Sequence, residues 1–398
     1  MSEPTSPFHF EALHTCPDTG ARAGRFHTPH GIVETPAFMP VGTRGTVKGI
    51  PPWELRELGS QMLLANTYHL HLRPGEDVVA ELGGLHGFMG WDGPILTDSG
   101  GYQVFSLSEI RRIDEDGVSF KSVVDGDRIR LTPERAVEVQ TKLGADVIMA
   151  FDHCPSNPLD RDEVETATRR THDWLARCVR RHRELGGEER GQALFGIVQG
   201  GAFEELRLRS VEAITSHDLA GYAVGGVSVG EGRESMRRAV EVAAPALPAE
   251  KPRYLMGIGT PEDFLHAVGH GCDLFDCVTP TRHGRTHQAF TSYGRVNLRN
   301  AKWERDAEPL DPTCGCRTCT HFSRGYLRHL CKTGEMLAGI LLSLHNLHYF
   351  NELLAEMRRQ LAAGTFGAWS VKYGVRHFSS ASPLLEVLPR VAKDKKSD

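Results

Sequence analysis

Long apolar runs are missing from this chain. Its longest apolar stretches, such as residues 340–344, fall far below the roughly 20 residues needed to span a bilayer. No membrane span is expected. The opening Met1-Ser-Glu-Pro-Thr-Ser-Pro has no basic region leading into an apolar core. No secretory signal is therefore expected, and the expected location is cytoplasmic. Charge of one sign is also in short supply. A formal net charge of −5 excludes a uniformly basic nucleic-acid binder and confines any polyanion site to a local patch. A glycine-rich dinucleotide fingerprint is absent, and no serine- or cysteine-centred triad is visible. Evenly paired cysteines are lacking as well: the count is nine, with three inside residues 314–319. That pattern suits a reduced protein with a metal site better than a disulfide scaffold.

What is present is an ordinary globular composition, 40% hydrophobic and 24% charged, enough for a sizeable core. The length suits one large α/β domain of roughly 250 residues with additions, or two to three ordinary domains. Residues 1–34 alternate weakly (Phe8, Phe10, Phe26, Ile32, Val33) and break at Asp18-Thr19-Gly20 and Pro29-His30-Gly31. They predict an N-terminal β-hairpin or small meander. From residue 35 onward, apolar runs alternate with helical stretches. The runs are residues 37–41, 62–65, 95–97, 147–151, 194–198, 222–225, 254–257 and 274–276. Thr132-Pro133-Glu134 and Thr260-Pro261-Glu262-Asp263 supply cap, proline and acid for two of the intervening helices. Near-continuous apolar strands between helices indicate a parallel sheet, and eight of them close a (β/α)₈ TIM barrel. An open doubly wound sheet is the alternative. The expected division is an N-terminal β segment (1–34), a barrel (35–290), a zinc-binding module with a closing helix (291–362) and a partly disordered C-terminal extension (363–398). Residues 107–130 form an insertion with a hairpin signal, Asp125-Gly126-Asp127.

Barrel strands present function at their C-terminal ends. Here those ends read Asn66, Asp98, Asp152, Gln199, Gly226, Gly257 and Asp276. One aspartate after a strand is usually structural. Three from different strands point to a site. Right after Asp276 comes a basic segment: Arg282, Arg285, Arg295, Arg299, Lys302 and Arg305 against the single acid Glu304. Arg317, Arg324 and Arg328 continue it. A solvated surface is the usual reading of such a run, but its place beside Asp276 favours contact with a phosphate backbone. Cys314-Gly-Cys316-Arg-Thr-Cys319 puts three thiols within six residues, and His345 follows on a helical stretch, 335–354. Three thiolates and an imidazole make a closed, structural zinc site. His321, His329, Cys331 and His348 compete for the fourth place. His69, His71 and Asp152 suggest a rival, metal-dependent hydrolase. Paired carboxylates beside a phosphate patch instead suit substitution at an anomeric sugar carbon within a nucleic acid, with Tyr102 and Met256 as walls for an unstacked base.

Four motifs then carry a family resemblance. They are Thr97-Asp98-Ser-Gly-Gly-Tyr-Gln-Val-Phe-Ser, Gly196-Ile-Val-Gln199-Gly-Gly, Val224-Gly-Gly226-Val-Ser-Val-Gly-Glu231 and Phe275-Asp276-Cys-Val-Thr-Pro-Thr-Arg282. With the zinc set, they closely resemble tRNA-guanine transglycosylase, over about residues 8–355. The resemblance implies exchange of the wobble guanine in the anticodon loop of tRNAs with GUN anticodons for a 7-deazaguanine base. It implies Asp276 as nucleophile of a covalent ribosyl-RNA intermediate and Asp98 as general acid/base. Asp152, Gln199 and the Gly226 backbone would bind the purine edge, and Tyr102 and Met256 would sandwich the ring. Glu231 would sense the exocyclic substituent, Arg282 and Arg285 would hold RNA, and Cys314, Cys316, Cys319 and His345 would hold one structural Zn²⁺. Cys154 with Val229 resembles the bacterial type, which implies 7-aminomethyl-7-deazaguanine as incoming base. A homodimer is implied through Phe88, Phe322, Tyr326 and His329. Two departures from the family pattern are His153, where an acid is common, and Thr286-His287 in place of Asn-Gly. A non-catalytic RNA-binding subunit of the same fold is the alternative function.

Overall fold

The computed structural model describes residues 6–107, 111–227 and 232–377. The eight apolar runs are eight parallel strands: β1 (Ala37–Gly42), β2 (Leu63–Ala65), β3 (Ile95–Thr97), β4 (Val147–Met149), β5 (Ala193–Val198), β6 (Gly221–Val224), β7 (Arg253–Leu255) and β8 (Leu274–Cys277). They pair in chain order and close into a barrel, with β8 against β1. The architecture is the expected (β/α)₈ barrel.

Side-chain alternation along each strand separates two cores. Ala37, Met39 and Val41 of β1 join Leu64, Leu96, Val147, Phe195, Ile197 and Leu274 in one cluster, the barrel lumen. Phe38, Leu63, Ile95, Ile148, Leu194 and Phe275 join the layer between strands and helices. This phase decides what reaches the mouth. Asn66, Asp98, Gln199 and Asp276 each stand two residues beyond a lumen residue (Leu64, Leu96, Ile197, Leu274), so the pleat aims all four at the same opening.

The caps read from sequence form. Thr132 accepts from Arg135 N at the start of helix Pro133–Leu143. Thr260 and Asp263 make a reciprocal capping box at Pro261–Gly269. The N-terminal meander is three antiparallel strands, His9–Thr15, Arg22–Thr28 and Gly31–Thr35. The insertion after β3 holds a three-stranded antiparallel sheet, Arg111–Asp114, Gly117–Lys121 and Arg128–Leu131. Gly126 (φ 83°) turns the second hairpin at the predicted place.

The helix carrying His345 is longer than expected, running Met336–Ala362. Phe350 anchors it to the barrel, its ring centroid 5.4 Å from Phe38, 5.3 Å from Phe264 and 5.1 Å from Phe290. Part of the C-terminal extension is ordered as helix Phe366–His377. Phe366 is buried, and Trp369 and Tyr373 pack on the outer core. The Tyr349 and Tyr373 hydroxyls share a hydrogen bond of 2.6 Å. The polar end expected at 391–398 lies outside the described residues. No helix among those described is long and apolar enough to cross a membrane.

Candidate active site

Asp276 is buried at the mouth, and both of its hydrogen bonds go to Oδ1. The Tyr254 hydroxyl donates at 2.6 Å and the Gly257 N–H at 2.7 Å. Strand register explains the tyrosine: Tyr254 is level with Leu274, one pleat below Asp276 on the adjacent strand, and shares its lumen phase. The left-handed backbone at Gly257 (φ 70°) turns its N–H onto the carboxylate, a conformation that glycine adopts without strain. Among the described residues no donor meets Oδ2. Burial raises the Asp276 carboxyl above its ordinary value, while the Tyr254 and Gly257 donors pull it back.

Asp98 is also buried, within a denser set of donors. Asn66 Nδ2 and Gln103 Nε2 (2.7 Å) donate to Oδ2, and the N–H groups of Thr67 (2.9 Å) and Gly100 (3.2 Å) to Oδ1. Burial still dominates and pushes Asp98 up to about 6. The negative charge of Asp276 adds to the rise. Asp98 therefore exchanges its proton near neutral pH, where a group is most useful as general acid and base.

Asp152 lies behind this pair. Its Oδ1 accepts from Ser99 Oγ at 3.1 Å and its Oδ2 from Gln199 Nε2 at 2.7 Å, with the Cys154 thiol 3.5 Å from Oδ2. Burial raises this carboxyl and, more strongly, the Cys154 thiol, so Cys154 stays protonated as a donor. Gln199 Oε1 is buried with no partner among the described residues. Gly226 (φ 58°) lies so close that a Cβ there would stand 2.1 Å from that oxygen. Asp152, Gln199 and Gly226 thus meet in one place, as expected. Tyr102 stands half exposed on helix Gly101–Leu107, and Met256 is half-buried with its sulfur 3.5 Å from where a Gly225 Cβ would lie. Glu231 and Val229 fall outside the described residues.

Thr279–Arg285, the short helix after β8, exposes Arg282 and Arg285 with no acidic partner among the described residues. Arg295 and Arg299 are likewise exposed without one. The rest of the sequence patch is partly neutralised: Arg317 pairs with Glu54 and Glu57, Arg324 with Asp306 and Arg328 with Glu304. His287 (φ 66°) is the only left-handed non-glycine residue described. This is the position where the family pattern has glycine.

The three thiols converge on one imidazole. Cys314, Cys316 and Cys319 Sγ lie 3.7, 3.4 and 3.3 Å from His345 Nδ1, and all four ligand atoms lie within 4.8 Å of one another. A tetrahedral zinc ion with bonds of about 2.3 Å to sulfur and about 2.0 Å to nitrogen needs S···N edges of about 3.5 Å, so the cluster fits such an ion. His345 Nε2 faces the Phe290 carbonyl at 2.7 Å. Donation there leaves Nδ1 unprotonated for a metal. His321 instead turns Nδ1 to the Arg317 carbonyl. The next residue, Asn346, donates to Pro280 O (2.9 Å) and Gln288 O (3.0 Å) and accepts from Phe290 N (2.9 Å). It frames the arginine-bearing helix from both sides.

The rival metal site does not assemble: His71 Nδ1 is bound to Glu76 at 2.7 Å, and Asp152 to Ser99 and Gln199. A second histidine–carboxylate group, His30, His86 and Asp146, occurs just before β4, at the opposite end of the barrel. Its imidazoles are stacked, 3.7 Å apart at 16°. Near-parallel rings carry their lone pairs in separate planes, so they cannot both aim at one ion; Asp146 Oδ1 instead pairs with His30 Nδ1 at 2.7 Å, while His86 Nε2 faces the Gly93 carbonyl at 3.1 Å with Asp146 Oδ2 3.2 Å away.

Buried carboxylates gathered at the mouth of a closed barrel mark a barrel enzyme. Comparison with known proteins narrows this. The family described as "Queuine tRNA-ribosyltransferase" matches residues 16–379. Proteins of that name from Nostoc sp. (strain PCC 7120 / SAG 25.82 / UTEX 2576) and Geobacillus kaustophilus (strain HTA426) are 54% and 52% identical to it. Each alignment covers 90% of this chain, and 95% and 93% of the respective relative. One from Ruegeria sp. (strain TM1040) is 51% identical over 91% of this chain and 95% of its own. The chain belongs to the queuine tRNA-ribosyltransferase family.

Reasoning from sequence missed Tyr254, Ser99 and Gln103. Tyr254 was findable, as an inward tyrosine one pleat below Asp276. Ser99 and Gln103 give no signal without the turn that follows Asp98.

Proposed function

We propose that the protein is a tRNA-guanine transglycosylase that replaces the wobble guanine of GUN-anticodon tRNAs with 7-aminomethyl-7-deazaguanine. The observation that carries this reading is the pairing of Asp276, with Oδ2 uncommitted, with Asp98 near 6. In the first half, Asp276 Oδ2 attacks C1′ of the wobble ribose. The C1′–N9 bond breaks, its electron pair leaves with the base, and Asp98 supplies the proton. In the second half, Asp98 takes the N9 proton of the incoming base. N9 attacks C1′ and the Asp276 carboxylate departs. Two inversions give net retention.

Asp152 accepts from the N1–H and 2-amino group of the purine, while Gln199 and the Gly226 N–H serve its 6-oxo edge. Tyr102 and Met256 sandwich the ring, and Glu231 senses the exocyclic substituent. Arg282 and Arg285 hold the anticodon backbone. Cys314, Cys316, Cys319 and His345 hold one structural Zn²⁺, which shapes the RNA platform and supplies no chemistry. The working divisions are residues 1–34, 35–290, 291–362 and 363–398. The exposed Phe88, Tyr326 and His329, with Phe322 stacked on Tyr326 at 5.3 Å, support a homodimer. The expected location is cytoplasmic.

The test is base exchange with labelled guanine and unmodified GUN-anticodon tRNA. Incorporation is expected, and Asp276→Asn should abolish both incorporation and covalent trapping of tRNA. Trapping retained in Asp276→Asn would sink the nucleophile assignment. No incorporation by folded, metal-replete wild type would favour the RNA-binding-subunit reading.

A further inference from the structure

Arg207 is 1% exposed. It sits on helix Glu204–Thr215, which follows β5. Its guanidinium reaches three carbonyls on two loops: Nε donates to Gly201 O at 2.7 Å, Nη1 to Gly225 O at 3.1 Å and Nη2 to Gly226 O at 3.0 Å. Burying a guanidinium is costly unless its N–H groups are well placed. The planar fork suits two neighbouring carbonyls in a way that an ammonium cannot.

The carbonyls belong to two glycine pairs, Gly200-Gly201 after β5 and Gly225-Gly226 after β6. Gly200, Gly201 and Gly226 take φ of 134°, 54° and 58°. Such peptides have no side chains to fix their planes, and glycine is the most permissive residue. Their orientation must be imposed from outside, and Arg207 spans both pairs. The Gly225–Gly226 peptide is trans, since the only cis bonds among the described residues precede Pro36 and Pro74. In a trans peptide the N–H points opposite to the C=O. Holding Gly225 O therefore directs the Gly226 N–H away from Arg207, and that N–H meets no acceptor among the described residues. Gly226 abuts Gln199, whose Nε2 is bound to Asp152.

We infer that Arg207 is a positioning residue for base recognition: by clamping the Gly201, Gly225 and Gly226 carbonyls, it aims the Gly226 N–H at the 6-oxo group of the purine. The inference rests on the base-exchange reading. It predicts a selective loss. Without the clamp, the enzyme loses the Gly226 hydrogen bond to the 6-oxo acceptor but keeps the Gln199 contact there and the Asp152 contacts to N1–H and the 2-amino group.

Two purines separate these effects. Guanine carries the full acceptor, and 6-thioguanine keeps the donors but replaces the oxygen with weakly accepting sulfur. Each is measured as a competitor of labelled guanine in tRNA base exchange, with wild type, Arg207→Ala and Arg207→Lys. Wild type is expected to prefer guanine. In Arg207→Ala, guanine affinity should fall about tenfold, the usual size of one neutral hydrogen bond. Affinity for 6-thioguanine and the KM for tRNA should stay within about twofold, so the preference narrows by about that tenfold. If melting or metal content shows that Arg207→Ala is unfolded, Arg207→Lys, which keeps the charge but not the fork, should show the same narrowing. Equal weakening of both purines, or no change in either variant, overturns the inference. A wild type without preference overturns it before any variant is made. A wild type inert in exchange removes the base-exchange reading and the inference with it.

Discussion

Tyr254 donates its hydroxyl to Asp276 Oδ1 at 2.6 Å, from the adjacent strand and one pleat deeper in the barrel. The bond occupies one carboxylate oxygen, leaves the other without a donor among the described residues, and favours the ionised form that the proposed nucleophilic role needs. Tyr254→Phe removes it with little change in shape. Burial already holds Asp276 above its ordinary value, so losing a donor moves it further up. The acid limb of kcat/KM against pH should shift to higher pH, and kcat should fall by about tenfold to a hundredfold. An unmoved acid limb would show that Tyr254 only packs.

Asp98 is raised to about 6. Its deprotonated form, the base in the proposed second half-reaction, is therefore lost as pH falls through about 6. The wild-type profile should bend there. Asp98→Asn should lower exchange by about 10² to 10⁴-fold and flatten that bend, with tRNA binding intact by filter retention. A variant with the same bend would assign the ionisation elsewhere.

Removing the imidazole at His345 deletes one of four clustered ligand atoms and the bond to Phe290 O. His345→Ala should lose its stoichiometric metal by elemental analysis and lower the melting temperature, with the circular dichroism of the barrel largely retained. A full metal complement in this variant would exclude His345 as a ligand.

Arg282 and Arg285 are exposed one turn apart without acidic partners among the described residues. If each touches a phosphate, Arg282→Ala and Arg285→Ala should each raise the KM for tRNA. Each should also reduce the slope of log affinity against log salt by about 1. The KM for free guanine should not move. An unchanged salt slope would place the RNA backbone elsewhere.

His287 holds a left-handed φ of 66° and a buried Nδ1 without a partner among the described residues. An L-residue there costs roughly 1–2 kcal/mol, and glycine returns part of that gain as chain entropy. His287→Gly should therefore stabilise by about 0.5–1 kcal/mol, read as a small rise in Tm. A fall in Tm would mean that packing of the imidazole outweighs the strain.

The barrel was legible because each strand is a short apolar run buried on both faces, with helical spacing between. Its strand ends pointed to Asp98, Asp152, Gln199 and Asp276 as candidates, and the fold buries all four. The Cys314–Cys319 spacing and the helical His345 were legible as a candidate ligand set, and the fold gathers those four ligand atoms while His321 is committed to the Arg317 carbonyl. What the sequence concealed depends on contacts across strands. Tyr254 lies 22 residues from Asp276, and Arg207 reaches carbonyls 18 and 19 residues away. Such pairings become visible only when register is known. The basic run misled for the same reason. Arg317 meets Glu54, 263 residues distant, so linear clustering overstated the free positive charge.

One helix, Met336–Ala362, supplies the metal-facing imidazole of His345 and, at the next residue, the amide of Asn346 that frames the arginine-bearing turn. If the four-atom cluster holds a metal and the arginine-bearing turn holds RNA, as proposed, both grip the same rod at adjacent positions. Any displacement of that rod when metal leaves is felt where RNA binds, and the thermodynamic coupling is reciprocal. Bound tRNA should therefore slow the escape of the metal to a chelator. The metal-depleted protein should lose RNA affinity by the same factor by which RNA tightens the metal.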